Sequence, residues 1–247
     1  MGLTPNIRPG RRLQSVSGAL DTVQSASHLQ PVSVDIATPK RALAVGAHPD
    51  DIEFGCGATL AKWVKRGCDV HFAILTDGSK GSWDSSVSTA ELIATRQAEQ
   101  REAARRIGTD NVTFLGNVDG ELTNTPQVRW QVSKLIREVR PEVVLGHDPW
   151  RMYRLHPDHR EAGWILTDSI VAARDPLFFP DQGLSPHRLE KLLLWEAAVT
   201  NHVENVSDFL GVKFDALIAH TSQHETTMGA QTLPSPTANN PDFSSLH

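Results

Sequence analysis

Between residues 41 and 223, short apolar runs alternate with longer segments of helical periodicity, and this alternation narrows the fold more than any other feature. The runs RALAVGA (41–47), DVHFAILT (69–76), NVTFLG (111–116), EVVLGH (142–147) and LEKLLLWEA (189–197) have the length of strands. GATLAKWVKR (57–66), TAELIATRQAEQREAARRIG (89–108), TPQVRWQVSKLIREVR (125–140), HREAGWILTDSIVAAR (159–174) and GVKFDALIAHTSQ (211–223) read as helices. Gly67 and Gly108 sit where a C-cap belongs, while Pro126 opens and Pro141 stops the third helix. Strands alternating with helices predict an α/β class: a Rossmann-like, mostly parallel sheet with helices on both faces, in a single domain.

The segments outside this core differ in character. Residues 1–38 contain many Ser, Gln, Thr and Pro residues and are expected to be a poorly ordered arm, or one that packs on a partner subunit. Residues 226–247 form a similar polar tail, so the domain is expected to span 39–225. With 39% hydrophobic and 21% charged residues and a net charge of −5, the chain has the composition of a soluble globular protein and lacks the basic surface of a nucleic-acid binder. Only two cysteines, Cys56 and Cys68, are present, too few for a disulfide framework, and they are expected to be reduced. No apolar run approaches the roughly 18 residues that span a membrane, and no signal-peptide core is recognisable near Met1. The expected setting is cytoplasmic, with neither membrane nor nucleic acid as partner.

Parallel sheets bind ligands at the C-terminal ends of their strands, so the polar residues that follow each strand carry the functional argument. His48, Pro49, Asp50 and Asp51 follow the first strand. His147 and Asp148 follow the fourth, and His156, Pro157, Asp158 and His159 come shortly after. Two loops thus carry His-Pro-Asp, as HPDD (48–51) and HPDH (156–159), with possible metal ligands at the first and fourth positions of each. Imidazoles combined with a carboxylate suit zinc, and three protein ligands would leave the open position that marks a catalytic site. A carboxylate that is not a ligand could accept the proton of a water acidified there. A single His-Pro-Asp is an ordinary turn; two of them at strand ends in an α/β pattern are not expected by accident. His28, His71, His187, His202 and His247 are expected to be surface or structural residues.

Other readings fit less well. GCGATL (55–60) approaches a dinucleotide fingerprint, but its sixth position is Leu60, and it follows a His-Pro-Asp-Asp insertion, so its glycines do not come directly after the strand. The phosphate-binding Walker pattern and the Gly-x-Ser-x-Gly elbow are both missing from the sequence. Paired acids after a first strand also occur in phospho-acceptor receiver domains, which have no need of a later histidine pair.

With AHPDD after the first strand and HPDH after a later one, the sequence resembles the PIG-L/LmbE family of zinc-dependent deacetylases, which act on N-acetylglucosamine-containing compounds. The resemblance covers roughly 41–223 and extends to residues 57–81, TRQAEQREAARRIG (95–108), FLGNVDGEL (114–122) and AHTSQ (219–223). It implies zinc held by His48, Asp51 and His159, with Asp50 as the general base that activates water. It further implies that His156 stabilises the tetrahedral oxyanion and protonates the leaving amine, and that Asp158 orients a histidine. Arg96 matches a family arginine that contacts the sugar, and Asp119 is a candidate for a sugar hydroxyl. The implied substrate is a small molecule with an N-acetylated amino sugar, and the implied assembly is a homo-oligomer.

The chain also departs from the family pattern. Ile52 follows HPDD where many members have Glu, and Glu53 comes one place later. Where some members have a mobile tyrosine two residues before the second motif, this chain has Arg154, with Tyr153 beside it. Either residue could assist the oxyanion or bind substrate. Two other activities remain open at this point: an amidase removing a larger acyl group from a thiol conjugate, and a non-catalytic sugar-binding protein of the same fold.

Overall fold

The computed structural model describes residues 31–226. In chain order its elements are β1 (Ser33–Val34), β2 (Arg41–Gly46), α1 (Asp51–Lys65), β3 (Asp69–Thr76), α2 (Thr89–Ile107), β4 (Val112–Asn117), α3 (Pro126–Val139), β5 (Val143–His147), α4 (Pro157–Arg174), β6 (Lys191–Trp195), β7 (His202–Val203) and α5 (Leu210–Leu217). The main sheet has the order β4-β3-β2-β5-β6, and every pairing in it is parallel.

Side-chain alternation along the strands divides the core into two layers. On β2, Ala42 and Ala44 face the layer that holds Ile52 and Leu60 of α1, Ala103 and Ile107 of α2, and Ala216 of α5. Leu43 and Val45 face the opposite layer, with Val132 and Ile136 of α3 and Ile165 and Leu166 of α4. Helices therefore cover both faces, which is why the central strands are apolar almost without interruption. The helix ends follow local chemistry. Ser88 accepts a hydrogen bond from the Glu91 N–H at the start of α2, and Gly108, at φ 112°, takes the left-handed cap at its end. Thr125 caps α3 by accepting from the Val128 N–H, and Pro126 occupies its first turn.

The chain lays β3 and β4 on one side of β2, then returns to place β5 and β6 on the other. The C-terminal ends of β2 and β5 are therefore neighbours at the point where the winding reverses, the position at which open α/β sheets form a crevice. His48 follows β2 there, and His147 is the last residue of β5.

Several boundaries differ from the sequence expectation. The first helix begins at Asp51 and not at Gly57, so Gly55 and Gly57 lie inside α1 and do not mark its start. The fourth helix begins two residues early, with Pro157 in its first turn, so HPDH is a helix start with His156 as N-cap. The last helix ends at Leu217, and residues 221–223 form a separate 3-10 turn after the buried His220. β1 falls inside the stretch expected to be an arm; it pairs in parallel with β7, Ser33 opposite His202. Asp35 and Glu204 accept hydrogen bonds from the buried Lys62 of α1 at 2.6 and 2.5 Å, which fastens this ribbon to the domain. Of the expected arm and tail, residues 1–30 and 227–247 lie outside the described residues, together with His28 and His247. Among the described residues no helix is long and apolar enough to cross a membrane.

Candidate active site

A cleft of about 620 Å³ opens at the ends of β2 and β5, within the range of roughly 300–1,000 Å³ usual for small-molecule sites. His48, Asp50, Asp51, Arg96, Asp119, His156 and His159 all line it. Asp51 is the first residue of α1, and His159 lies in the first turn of α4. Two helix starts thus bring the HPDD and HPDH loops together across the crevice.

Donor atoms of three residues converge, with both carboxylate oxygens of Asp51 taking part. His48 Nδ1 is 3.2 Å from His159 Nε2 and 3.4 Å from Asp51 Oδ2, and His159 Nε2 is 3.2 Å from Asp51 Oδ1. A tetrahedral zinc with bonds of about 2.0–2.1 Å separates its ligand atoms by about 3.3 Å, so the spacing and the N/O donor set both fit that ion. The other nitrogen of His48 fits as well. Nε2 lies 3.1 Å from Oδ2 of Asp158 and 3.1 Å from Oδ1 of Asp119, so its N–H has a carboxylate to donate to, and in the neutral ring that binds a metal the lone pair is left on Nδ1. Asp158 is itself fixed by the backbone N–H groups of Gly120 (2.6 Å) and Leu122 (3.3 Å).

His147, which the sequence placed at a strand end without a role, belongs to the same cluster. The Trp195 indole N–H donates to its Nδ1 at 3.2 Å, which leaves the ring proton on Nε2, 3.2 Å from Asp51 Oδ2. Although Asp51, His147 and His159 could also group around a cation, this tautomer makes His147 a donor to Asp51. Burial favours the neutral ring: desolvation moves its pKa below the usual 6.5 against the pull of Asp51. His159 is held differently. Its outer nitrogen, Nδ1, meets Arg154 Nη1 at 3.1 Å, a donor in place of the acceptor that His48 finds.

Asp50 is the N-cap of α1 at φ 100°, a left-handed conformation uncommon for a residue with a Cβ. Its carboxylate makes no hydrogen bond among the described residues and its closest cation is Arg96 Nη2, at 3.6 Å. Burial raises its pKa to about 7, and the neighbouring Asp51 charge adds to that against the opposing pull of Arg96. Burial would also raise Asp51, but His147, His159 and His48 hold it well below the usual range. For His48, desolvation is overcome by Asp119, Asp158 and Asp51, and the ring is raised well above 6.5. Exposed His156 stacks on His159 with ring centroids 4.6 Å apart; partial burial and the His48 and His159 rings lower its pKa.

The remaining sequence candidates are placed as follows. Arg96 is inside α2 and is buried. It donates to the carbonyls of Gly78 (3.0 Å) and Pro49 (2.8 Å), tying two strand-end loops together. Asp119 accepts from the Lys80 N–H in addition to facing His48. Arg154 is half-buried behind His159 and ion-paired with Glu196. Tyr153 is 88% exposed and does not line the cleft, so the structure does not bring it to the converging donors. His71, His187 and His202 lie elsewhere, on Asp69, the Pro141 carbonyl and Glu204 respectively. Trp195, Gln100 and Glu53, none of them in either motif, also shape the site. For Trp195 the signal was its position at the end of a strand, and for Glu53 its place one residue beyond the family's usual Glu; Gln100 carried none.

Residues 43–170, which contain both motifs, match the family described as PIG-L, GlcNAc-PI de-N-acetylase. Diacetylchitobiose deacetylase of Thermococcus kodakarensis is 36% identical over 187 residues, which is 74% of this chain and 70% of that protein. The 1D-myo-inositol 2-acetamido-2-deoxy-alpha-D-glucopyranoside deacetylase of Geodermatophilus obscurus is 32% identical over 171 residues, 58% of this chain and 57% of that protein. Among solved structures, N,N'-diacetylchitobiose deacetylase from Pyrococcus horikoshii superimposes with a TM-score of 0.74 at 31% identity, covering 78% of this chain and 75% of that one. Sequence and fold agree with the donor geometry at the switch point, and the chain belongs to the PIG-L family.

Proposed function

We propose that this chain is a zinc-dependent hydrolase that removes the N-acetyl group from an N-acetylglucosamine-containing small molecule, releasing acetate and a free amine. The observation that carries this reading is the placement of Asp50. Among the described residues its carboxylate makes no hydrogen bond, and it stands at the wall of a cleft beside the closely spaced donor groups of His48, Asp51 and His159. The names of the relatives support the same chemistry, since they describe deacetylases of acetylated amino sugars.

His48, Asp51 and His159 would hold the metal. Bound there, zinc would supply Lewis-acid polarisation of the amide carbonyl and acidify a water. Asp50 takes the proton of the attacking water, a task suited to a carboxyl that burial holds near neutrality. His156, at the cleft opposite Asp50's loop, would face the negative charge that develops on the carbonyl oxygen and, in its protonated form, would give its proton to the departing amine, the proton taken by Asp50 then completing the balance. Asp158 acts through His48, whose ring it orients. Arg96 and Asp119 line the cleft, which supports their assignment as sugar contacts.

Cys56 and Cys68, both buried and free, support a reducing, cytoplasmic setting. Trp150, Met152, Tyr153 and Leu155, all exposed on one loop, support a homo-oligomer in which another copy covers them. Light scattering that reads a monomer would remove that part of the reading. A larger-acyl amidase gains nothing from the relatives' names. Acetate release from N,N'-diacetylchitobiose and from an N-acetylglucosaminyl inositol tests the activity. It should vanish after dialysis against a strong chelator and return with zinc; a metal-stripped chain with full turnover would overturn the proposal.

A further inference from the structure

The conformation of Asp50 is held from outside its own helix. Its carbonyl accepts from the Phe54 N–H at 3.1 Å, the first turn of α1. Its N–H, which at φ 100° points away from that turn, donates to Oε1 of Gln100 on α2 at 2.9 Å. The Gln100 amide then donates through Nε2 to Oε1 of Glu53 at 2.7 Å. This orientation of the amide is the one the chemistry permits: a backbone N–H requires an oxygen opposite it, and a carboxylate calls for the NH₂. Gln100 and Glu53 are both fully buried and do not line the cleft, so neither touches substrate. Among the described residues, Gln100 is the hydrogen-bond partner of the Glu53 carboxylate. Its other oxygen faces the buried His220 at 3.6 Å without a hydrogen bond.

We propose that Gln100 and Glu53 are positioning residues, a directed relay from the Asp50 N–H through Gln100 to Glu53 that keeps the Asp50 carboxylate aimed into the cleft. A left-handed backbone at a residue with a Cβ persists only where its surroundings over-determine it, and these two side chains supply that constraint from a neighbouring helix and from within α1. The inference rests on the reading of Asp50 as the base. It adds that the base depends on groups that neither hold the metal nor meet the substrate.

The test uses the full-length, zinc-loaded chain and four variants: Gln100→Met, Gln100→Glu, Glu53→Leu, and the double variant Glu53→Gln/Gln100→Glu. Gln100→Met and Glu53→Leu should each lower kcat by about 10- to 100-fold, the range usual for partners that orient a site residue, with KM and bound zinc close to wild type. Gln100→Glu sets two carboxylates against each other and should lose at least as much. The double variant restores the pattern: the carboxylate introduced on α2 accepts from the Asp50 N–H, and the amide introduced on α1 donates to that carboxylate. It should recover at least about tenfold over Gln100→Glu, as coupled neighbours do. Hydrogen exchange of the peptide carrying the Asp50 amide should quicken in Gln100→Met. Unchanged kcat in both single removals, or a double variant no better than Gln100→Glu, would overturn the proposal, as would losses that follow zinc content. The Glu53→Leu arm stands if a Gln100 variant does not fold. If the wild type releases no acetate while the Asp50 amide loses protection in Gln100→Met, the deacetylase reading fails and the relay survives.

Discussion

Nε2 of His48 lies 3.1 Å from Oδ2 of Asp158, a carboxylate sealed from solvent and fixed by two backbone N–H groups. This pairing decides which ring nitrogen of His48 keeps its lone pair. Replacing Asp158 with Ala should therefore weaken zinc binding by about 10- to 100-fold, the usual effect of losing a histidine-orienting partner. Competition titration with a zinc chelator measures it; unchanged affinity would mean that Asp119 alone orients the ring.

Gly55 makes room for Trp195. A Cβ at that position would overlap the indole ring that donates to His147. Gly55→Ala should destabilise the fold by about 1–3 kcal/mol, as overpacking does, and should loosen the His147 hydrogen bond to Asp51. Urea unfolding and Trp fluorescence read the two effects. The smaller Trp195→Phe side chain, combined with Gly55→Ala, should recover part of the stability while leaving His147 without its donor.

Arg154 presents an N–H to the outer nitrogen of His159, so it favours the tautomer that has no lone pair on Nε2. Metal binding through Nε2 needs the opposite tautomer, and the guanidinium has to withdraw. Arg154→Gln, which can offer a carbonyl oxygen, should tighten zinc binding several-fold by this argument. Weaker binding in calorimetry would show that Arg154 supports the ion and does not compete with it.

Stability in acid should report the β1 ribbon. The hydrogen bond from Lys62 holds the Asp35 pKa at about 2, below its ordinary 3.8, and the Asn205 backbone N–H adds to this. A depressed carboxylate contributes stability that is fully present above its unfolded pKa and is lost as pH falls through the folded one. The Asp35 contribution should thus fade between about pH 4 and 2. Burial pulls the Lys62 pKa down, but Asp35 and Glu204 raise it above 10.5, so its share is present below 10.5 and is lost only at more alkaline pH. Denaturation midpoints for wild type and Asp35→Asn should differ at pH 5 and converge near pH 2. A constant difference would contradict the assignment.

The sheet and its helices could be read from the sequence because each apolar run or helical pattern is local. The strand-end rule then singled out the HPDD and HPDH loops, while the choice of His48, Asp51 and His159 within them came from the family resemblance. Where the reading failed, the cause was a long-range demand. Gly55 was read ahead of a helix starting at Gly57, and only the indole of Trp195, 140 positions later, explains a glycine inside α1. β1 and β7 are two residues each, too short for any periodicity, and they exist because they pair across 169 positions. His147 was visible at a strand end but lacked a motif to give it a partner. Gln100 carries no local signal; its role appears only where α2 passes the start of α1. Tyr153 and Arg154 were alternatives side by side in sequence, and the backbone turned one to solvent and the other behind His159.

The central claim is that Asp50 moves the proton while His48, Asp51 and His159 hold the metal. The most direct measurement pairs acetate release with zinc content in Asp50→Asn, using a substrate that the wild type hydrolyses. The account predicts about one zinc per chain, as in wild type, with kcat lowered by about 10²- to 10⁴-fold, the range for a lost general base. Wild-type turnover in Asp50→Asn, or loss of zinc together with activity, would contradict it.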